Sequence, residues 1–511
     1  MNRKNLIFSL ISMAFLMSPG VAAAFAGGDG SENNPFQIAT PQHLDDIRND
    51  LGAYYVLIAD IDLDVAPFNV SPGWVPIGDS VTRFTGQLDG AGFEIRNLFI
   101  DRPAEDNVGF FSYTETGAAT PGATVMNLDL VNADVTGDFR TGVLAAHAQN
   151  GIYIDNVSVS GVLTTSAITG CLVGDARADS VIENSAGNCQ INTDGSRSGG
   201  LVGELEGQAM IINSYATGDI NSTSSRAGGL VGEMEDDAMI IDSFATGNIT
   251  STGTRIGGLV GNPENNTQII NSWASGDVTG STRVGGLAGE LEQFSSVFQS
   301  FATGNVTGDD RVGGLVGRAE NDSSISQSYA TGSATGNDQV GGLVGILEDR
   351  ATIEDSYAWG SASGGDRVGG LVGYAEADTA ISTSYATGAV SGGNDLGGLV
   401  GSIDMGATIT NSYWDRDTTG QTTSAGQQDD HGLTTAEMLG FAAVTNMTGF
   451  NFNDIWVTVN NGYPVFEWQG LGAPVAPAVP VPFGSAWMLV VLALMLLLVA
   501  APVVRSTGHR R

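Results

Sequence analysis

Lysine is almost missing. Its single occurrence is Lys4, so every later positive side chain is Arg or His. Lys and Arg together number 20 against 56 Asp and Glu, a formal net charge of -36. A surface of that sign repels nucleic acid and anionic lipid and excludes a nucleic-acid partner. With no lysine after Lys4, no Gly-x-x-x-x-Gly-Lys phosphate loop exists. Histidine is nearly as scarce, at positions 43, 147, 431 and 509, and none has the H-E-x-x-H spacing of a zinc peptidase. The two cysteines, Cys171 and Cys189, are too few for a thiolate metal site. In an exported chain they could pair, but their 18-residue spacing does not by itself bring them together. Two small buried apolar residues is the other reading. Proline is sparse, 15 against 72 Gly, which points to frequent tight corners rather than a disordered tail. Within the central region no stretch has the period or length of a helix.

The two ends carry the long apolar runs. Arg3 and Lys4 precede the apolar residues 6–17, and Ala24-Phe25-Ala26 places small residues around a cleavage point before Gly27. That pattern is a secretory signal peptide over residues 1–26. Residues 484–504 contain no charge and are long enough to span a bilayer. Arg505, Arg510 and Arg511 follow, which puts the tail 505–511 in the cytoplasm and the bulk of the chain outside.

Between the ends lies a repeat. Gly-Gly-Leu-Val-Gly begins at Gly199, Gly228, Gly257, Gly313, Gly341, Gly369 and Gly397, with variants at Gly285, Gly170 and Gly142, and the spacing is 28 or 29 residues. A fixed period of that size means a solenoid or array, and it is too short for a propeller blade. An apolar residue precedes most Gly-Gly pairs, as at Val284, Val312, Val340 and Val368. The expected fold is all-β: a right-handed parallel β-helix with one repeat per coil, short helical caps and a C-terminal transmembrane helix. About eleven coils at strand spacing make a rod of roughly 50 Å.

One repeat per coil turns equivalent residues into ladders. Tyr215, Phe244, Trp273, Phe301, Tyr329, Tyr357, Tyr385 and Tyr413 form an aromatic one. Asn184, Asn213, Asp242, Asn271, Gln299, Gln327, Asp355 and Asn411 form a polar one, broken by Thr383. Both kinds stabilise in-register stacks. The glycines are expected to supply positive φ and close chain approach. A third ladder is acidic: Glu206, Glu235, Glu264, Glu292, Glu320, Glu348, Glu376 and Asp404, broken by Arg177. Like charges about one strand spacing apart, near 5 Å, repel unless neutralised. Arg197, Arg226, Arg255, Arg283, Arg311 and Arg367, two residues before each first Gly, are the expected neutralisers, interrupted by Gln339 and Asp395. The alternative is a stripe for Ca²⁺ or a cationic ligand, since hard cations take carboxylate oxygens. No unit holds a known calcium loop.

An open stack needs caps. Thr40 is placed to cap a short helix carrying Leu44, Ile47 and Leu51, with strand-like segments at 54–62 and 74–77. Thr434 and Glu437 form a capping-box pair, and 455–459 and 463–468 look like closing strands. The parts are therefore the leader 1–26, an N-terminal cap with first coils 27–105, the repeat array 106–416, a C-terminal cap 417–470, a Pro/Ala-rich linker 471–483, the span 484–504 and the tail.

The Gly-Gly-Leu-Val-Gly block with Asn213-Ser214-Tyr215-Ala216-Thr217-Gly218 resembles the GLUG repeat of bacterial surface proteins. Phe84-Thr85-Gly86-Gln87-Leu88-Asp89-Gly90 resembles the segment that precedes those repeats, and Asn411-Ser412-Tyr413-Trp414-Asp415 the usual ending. The resemblance covers about residues 27–470. It implies an adhesin-like surface module on a β-helix and no enzymatic activity. The segment with Val481, Pro482 and Trp487 resembles exosortase-type sorting signals of the PEP-CTERM and IPTL kind, though Thr-Leu after Pro482 is missing. That implies an exosortase-type processing enzyme as a partner, and a plain membrane anchor is the alternative. GLUG repeats also accompany IgA-type metallopeptidases, whose zinc motif is absent from this chain. The remaining enzyme reading is a polysaccharide-cleaving β-helix, lyase or glycoside hydrolase. It requires a paired acid and base in one cleft. Here the acids repeat down the array, and the one sizeable insertion, 114–124, carries only Glu115. The expectation is a surface-anchored, non-enzymatic protein for an unspecified glycan or protein ligand.

Overall fold

Each unit folds as one coil and hydrogen-bonds in parallel to the next. The computed structural model describes residues 25–470 apart from 116–121, 224 and 427–430. One unit shows the pattern. Thr282–Gly285 is a first arm and Ala288–Leu291 a second, while Ser296–Phe298, Phe301–Ala302 and Val306–Thr307 make a bent third arm. Register partners lie one unit apart: Val284 on Val312, Ala288 on Val316, Val297 on Ile325 and Phe301 on Tyr329. First arms stack into a 10-stranded sheet, second arms into an 11-stranded sheet, and third arms into one longer sheet. Parallel stacking begins before the repeats, with Phe36–Ile38 on Tyr54–Leu57, then Gln87–Asp89, then Thr124–Thr136. The core between the arms is made of like on like. Leu287, Leu315 and Leu343 are wholly buried, as are Val284, Val312 and Val340, and Ala302, Ala330 and Ala358.

The corners divide their work differently from the expectation. Neither Gly of the Gly285-Gly286 pair has positive φ; what requires them is contact. A Cβ on Gly286 would lie 2.2 Å from the Gly314 carbonyl oxygen of the next coil. Positive φ falls instead on other positions, among them the polar ladder, with Asn213 at φ 47°, Asp242 at 52°, Asn271 at 48° and Gln327 at 46°, and the arginine ladder, with Arg255 at 62°, Arg283 at 57° and Arg311 at 56°. Short amide and acid side chains tolerate that region better than other residues. Asn213 also donates to Asn184 Oδ1 across one coil at 2.7 Å.

Beside this corner runs a buried serine ladder. The Ser214 amide donates to Ser243 Oγ at 3.1 Å and the Ser214 hydroxyl donates back to the Ile212 carbonyl at 2.8 Å, and the pattern repeats at Ser243, Ser272, Ser300, Ser328, Ser356 and Ser384. The hydroxyls satisfy amides that the turn takes out of the sheet ladder. The next residue of each unit is the aromatic. From Tyr215 to Tyr385 the rings stack at 4.3–5.9 Å and within 14° of parallel.

Cys171 and Cys189 are joined by a disulfide with Cα atoms 5.7 Å apart. Cys171 stands at the Gly corner of a coil and Cys189 on its third arm, Ala186–Thr193, and both side chains are buried in the core. The 18-residue spacing is the path around the coil, which linear spacing does not reveal.

Thr40 caps the helix Pro41–Asp45 by accepting from the His43 amide, and Leu44 and Ile47 are fully buried. Residues 74–77 do not form a strand. Trp74 and Ile77 are buried and Ile77 makes one parallel bridge to Phe111, but Pro76 has no N–H to extend a ladder. At the far end Trp414 takes the place of the alanine row and plugs the core, donating from its indole to the Gln421 carbonyl at 2.9 Å. The Thr434–Glu437 capping box opens the helix Thr435–Met438. The pair Trp456–Val457 and Val465–Phe466 is antiparallel. It does not close the stack. It lies along its side, where Trp456 donates to Asp355 at 3.0 Å and Tyr385 donates to the Pro464 carbonyl at 2.5 Å. No helix among the described residues is long and apolar enough to cross a membrane. Residues 1–24 of the leader, the linker 471–483, the span 484–504 and the tail fall outside the described residues.

Candidate functional site: a carboxylate and arginine seam

The second arm reads Val-Gly-Glu-Leu-Glu at Val202–Glu206 and Val-Gly-Glu-Met-Glu at Val231–Glu235. Strand alternation puts Glu204 with Glu206, and Glu233 with Glu235, on one face. In register, Glu204 sits beside Glu233, Glu206 beside Glu235, and Glu233 beside Asn262. The structure therefore holds two carboxylate rows. The outer row is the one read from the sequence. The inner row, Asp175, Glu204, Glu233, Asn262 and Glu290, continues as Arg318 and was missed; Asp175, Glu233, Asn262 and Glu290 are 0% exposed. Its signal was present, an acid two residues before the outer one in several units.

The inner row takes most of the arginines. Arg140 and Arg177 bond Asp175 at 2.6 and 2.8 Å. Arg226 lies 2.5 Å from Glu233, which Arg197 also bonds. Glu290 receives Arg283 at 3.1 Å, Arg318 at 2.7 Å and Arg255. This corrects the expectation that the arginine ladder neutralises the outer acids. Arg197 and Arg255 reach Glu235 and Glu292 only at 3.9 and 3.8 Å. Arg311 and Arg367 turn elsewhere, to Asp310 and Asp338. Among the outer acids, Glu206 is held by Arg177 at 2.8 Å, and Glu320 and Glu348 by Arg318.

Burial and crowding set the proton affinities. Burial, with Asp175 beside it, pushes Glu204 up to about 7 against the pull of Arg197 and Arg177. Burial and then Glu290 push Glu292 up to about 8. Burial and then Glu264 raise Glu235. Burial lowers Arg226, and the neighbouring Arg197 and Arg255 add to the effect. Three groups bring a ligand oxygen from each member within 4.8 Å of the others: Glu204, Glu206 and Glu235; Glu233, Glu235 and Glu264; and Glu290, Glu292 and Glu320. Such groups suit hard cations. Glu376 and Asp404 continue the outer row outside these groups. Val481, Pro482 and Trp487 of the sorting segment lie outside the described residues.

Comparison with known proteins agrees with the repeat. The GLUG motif is matched at residues 194–221, 280–307, 308–335 and 364–391, so the chain carries GLUG repeats. A protein of Evansella cellulosilytica named as a Gly-rich membrane protein is 35% identical over 157 residues, which is 30% of this chain and 18% of that protein. Halomucin of Haloquadratum walsbyi is 38% identical over 168 residues, 31% of this chain and 2% of halomucin. An immunoglobulin A1 protease of Streptococcus pneumoniae is 35% identical over 118 residues, 23% of this chain and 5% of the protease. The chain thus spans less than a fifth of each of these relatives. A solved IgA1 protease is similar at TM-score 0.34 and 22% identity, over 54% of this chain and 21% of its own.

Proposed function

We propose that the chain is an exported, non-enzymatic rod, anchored at the cell surface through its C-terminal segment, that presents its coils to a glycan or protein ligand. One observation supports this most: the seam's carboxylates are periodic and knotted to arginine, whereas a glycan-cleaving site needs a distinct acid pair in one cleft. The names of the relatives, a Gly-rich membrane protein and halomucin, fit a role at the cell boundary. Coils wind right-handed in this reading, as crossover chirality favours. The charge-free span 484–504 with its basic tail holds the rod, unless an exosortase-type enzyme cuts near Pro482. The test is a binding screen of residues 27–470 against glycan arrays and bacterial or host cells, with polysaccharide breakdown measured in parallel. The expected result is saturable binding without cleavage. Depolymerisation of any polysaccharide would overturn the reading in favour of a carbohydrate-active enzyme.

A further inference from the structure

The seam is uneven along its length. At Glu290, Glu292 and Glu320 the Arg318 guanidinium fills the space between the carboxylates, 2.7 Å from Glu290 and bonded to Glu320. At Glu204, Glu206 and Glu235, Arg177 holds Glu206 at 2.8 Å and lies 3.7 Å from Glu204. In the group between them, Glu233, Glu235 and Glu264, arginine goes to the inner acid alone: Arg226 lies 2.5 Å from Glu233 and Arg197 bonds it, while the two outer acids are left. Arg255, which stands in the same unit as Glu264, reaches forward to Glu290. Among the described residues no ion pair reaches Glu264, and Glu235 has only the 3.9 Å approach of Arg197.

A second observation falls at the same place. The inner row changes there from acid to amide. Asn262 sits beside Glu233 in register and donates from Nδ2 to Glu264 Oε2 at 2.9 Å. Its own carbonyl oxygen, Oδ1, has no hydrogen-bond partner, although the residue is 0% exposed. A buried acceptor left open is costly and rare in native proteins. With Glu233 beside it in register and Glu264 bonded to its Nδ2, Asn262 adds an amide oxygen to this carboxylate group, and calcium accepts carboxylate and Asn oxygens in irregular geometry.

We infer that the rod binds one divalent cation of the calcium class at this point, through Glu233, Glu235 and Glu264 with Asn262 Oδ1 as a fourth oxygen. The cation satisfies the open oxygen and neutralises the two outer acids that arginine leaves. It joins the coil of Val231–Glu235 to the coil of Val260–Pro263, acting as a clip inside the stack. The inference specifies the cation reading of the acidic row and is independent of whether the rod binds a glycan or protein.

The experiment is calorimetric titration of the metal-stripped full chain with CaCl₂, repeated with NaCl at matched ionic strength. One saturable calcium site is expected, in the roughly 0.1–1 mM range of extracellular modules or tighter. Glu264→Gln and Asn262→Leu should each weaken it at least about tenfold, and Asn262→Asp, which supplies a carboxylate, should tighten it. Glu376→Gln, farther along the outer row, should leave it unchanged. Circular dichroism identifies any variant that fails to fold, and the gain expected of Asn262→Asp does not depend on loss of structure. Absence of saturable binding, a response matched by NaCl, or calcium binding indifferent to all three changes would overturn the site. None of these outcomes bears on surface display, which is read on cells.

Discussion

Gly286 illustrates how little room a single position has. Its missing side chain is what lets the Gly314 carbonyl and the Ala302 methyl approach, at 2.2 and 2.8 Å from where a Cβ would stand. Gly286→Val should cost about 2–4 kcal/mol, because the obstacle is the backbone of the next coil and cannot swing away. Gly52→Ala, where the nearest atom is 3.7 Å off, should cost little, and urea midpoints compare the two. Equal midpoints for Gly286→Val and wild type would mean that the corner yields. His147 makes the matching case for charge. It is buried with both ring nitrogens lacking hydrogen-bond partners, 3.5 Å from Asp175, and burial holds its pKa down to about 4 against the pull of Asp175. The unfolded chain takes up the proton from about pH 6.5 downward while the fold resists until about 4. The stability this ring contributes is present above pH 6.5 and drains away as pH falls to 4, on the order of 2–3 kcal/mol. Between pH 7.5 and 4, wild type should therefore lose that much more stability than His147→Gln, and parallel pH curves would refute it. At this scale the sequence was legible where residues recur. The aromatic, polar and outer acidic rows were all visible as periods. The inner acids were not, because their row changes character at Asn262 and Arg318, and the pairing of Cys171 with Cys189 depends on the width of a coil.

Among the elements, the C-terminal segment departs most from what its sequence suggests. Its capping box at Thr434 and Glu437 is a local pattern and was readable. Where the following strands dock is set by the aromatic stack, which only the coiling creates. Trp456 is fully buried there, with ring centroids 5.7 Å from Tyr385 and 4.5 Å from Phe466. Tyr413 and Gln469 add bonds at either end, to Thr448 and to Tyr357. This makes the segment a strap on the rod's flank and separable from it. Trp456→Ala should cost roughly 3–5 kcal/mol of docking and expose 434–470 to limited proteolysis, while the β signal of the coils persists. Loss of all β structure in one step would show that strap and rod fold as a single unit. Residues 74–77 were misread for a related reason: apolar alternation signals burial, and Pro76 withholds the hydrogen bonds that would make burial a strand.

For the whole molecule the 28- or 29-residue period was sufficient to specify one parallel coil per unit, since a fixed period leaves no other way to bury the same residues each time. The earlier coils, from Phe36, lack the Gly-Gly block, so the first coils expected within 27–105 were marked only by strand-like pieces and the segment 84–90. On the proposed function the rod acts by where it stands and what it displays, so its position on the cell is the direct test. The direct measurement is protease shaving of intact cells, followed by mass analysis of the released peptides and of the intact extracted protein. Peptides from the GLUG array should be released without lysis in wild type. A chain ending at Gly470 should instead be found folded in the medium. An array protected until the cells are broken, or a truncated chain still in the membrane fraction, would contradict the account.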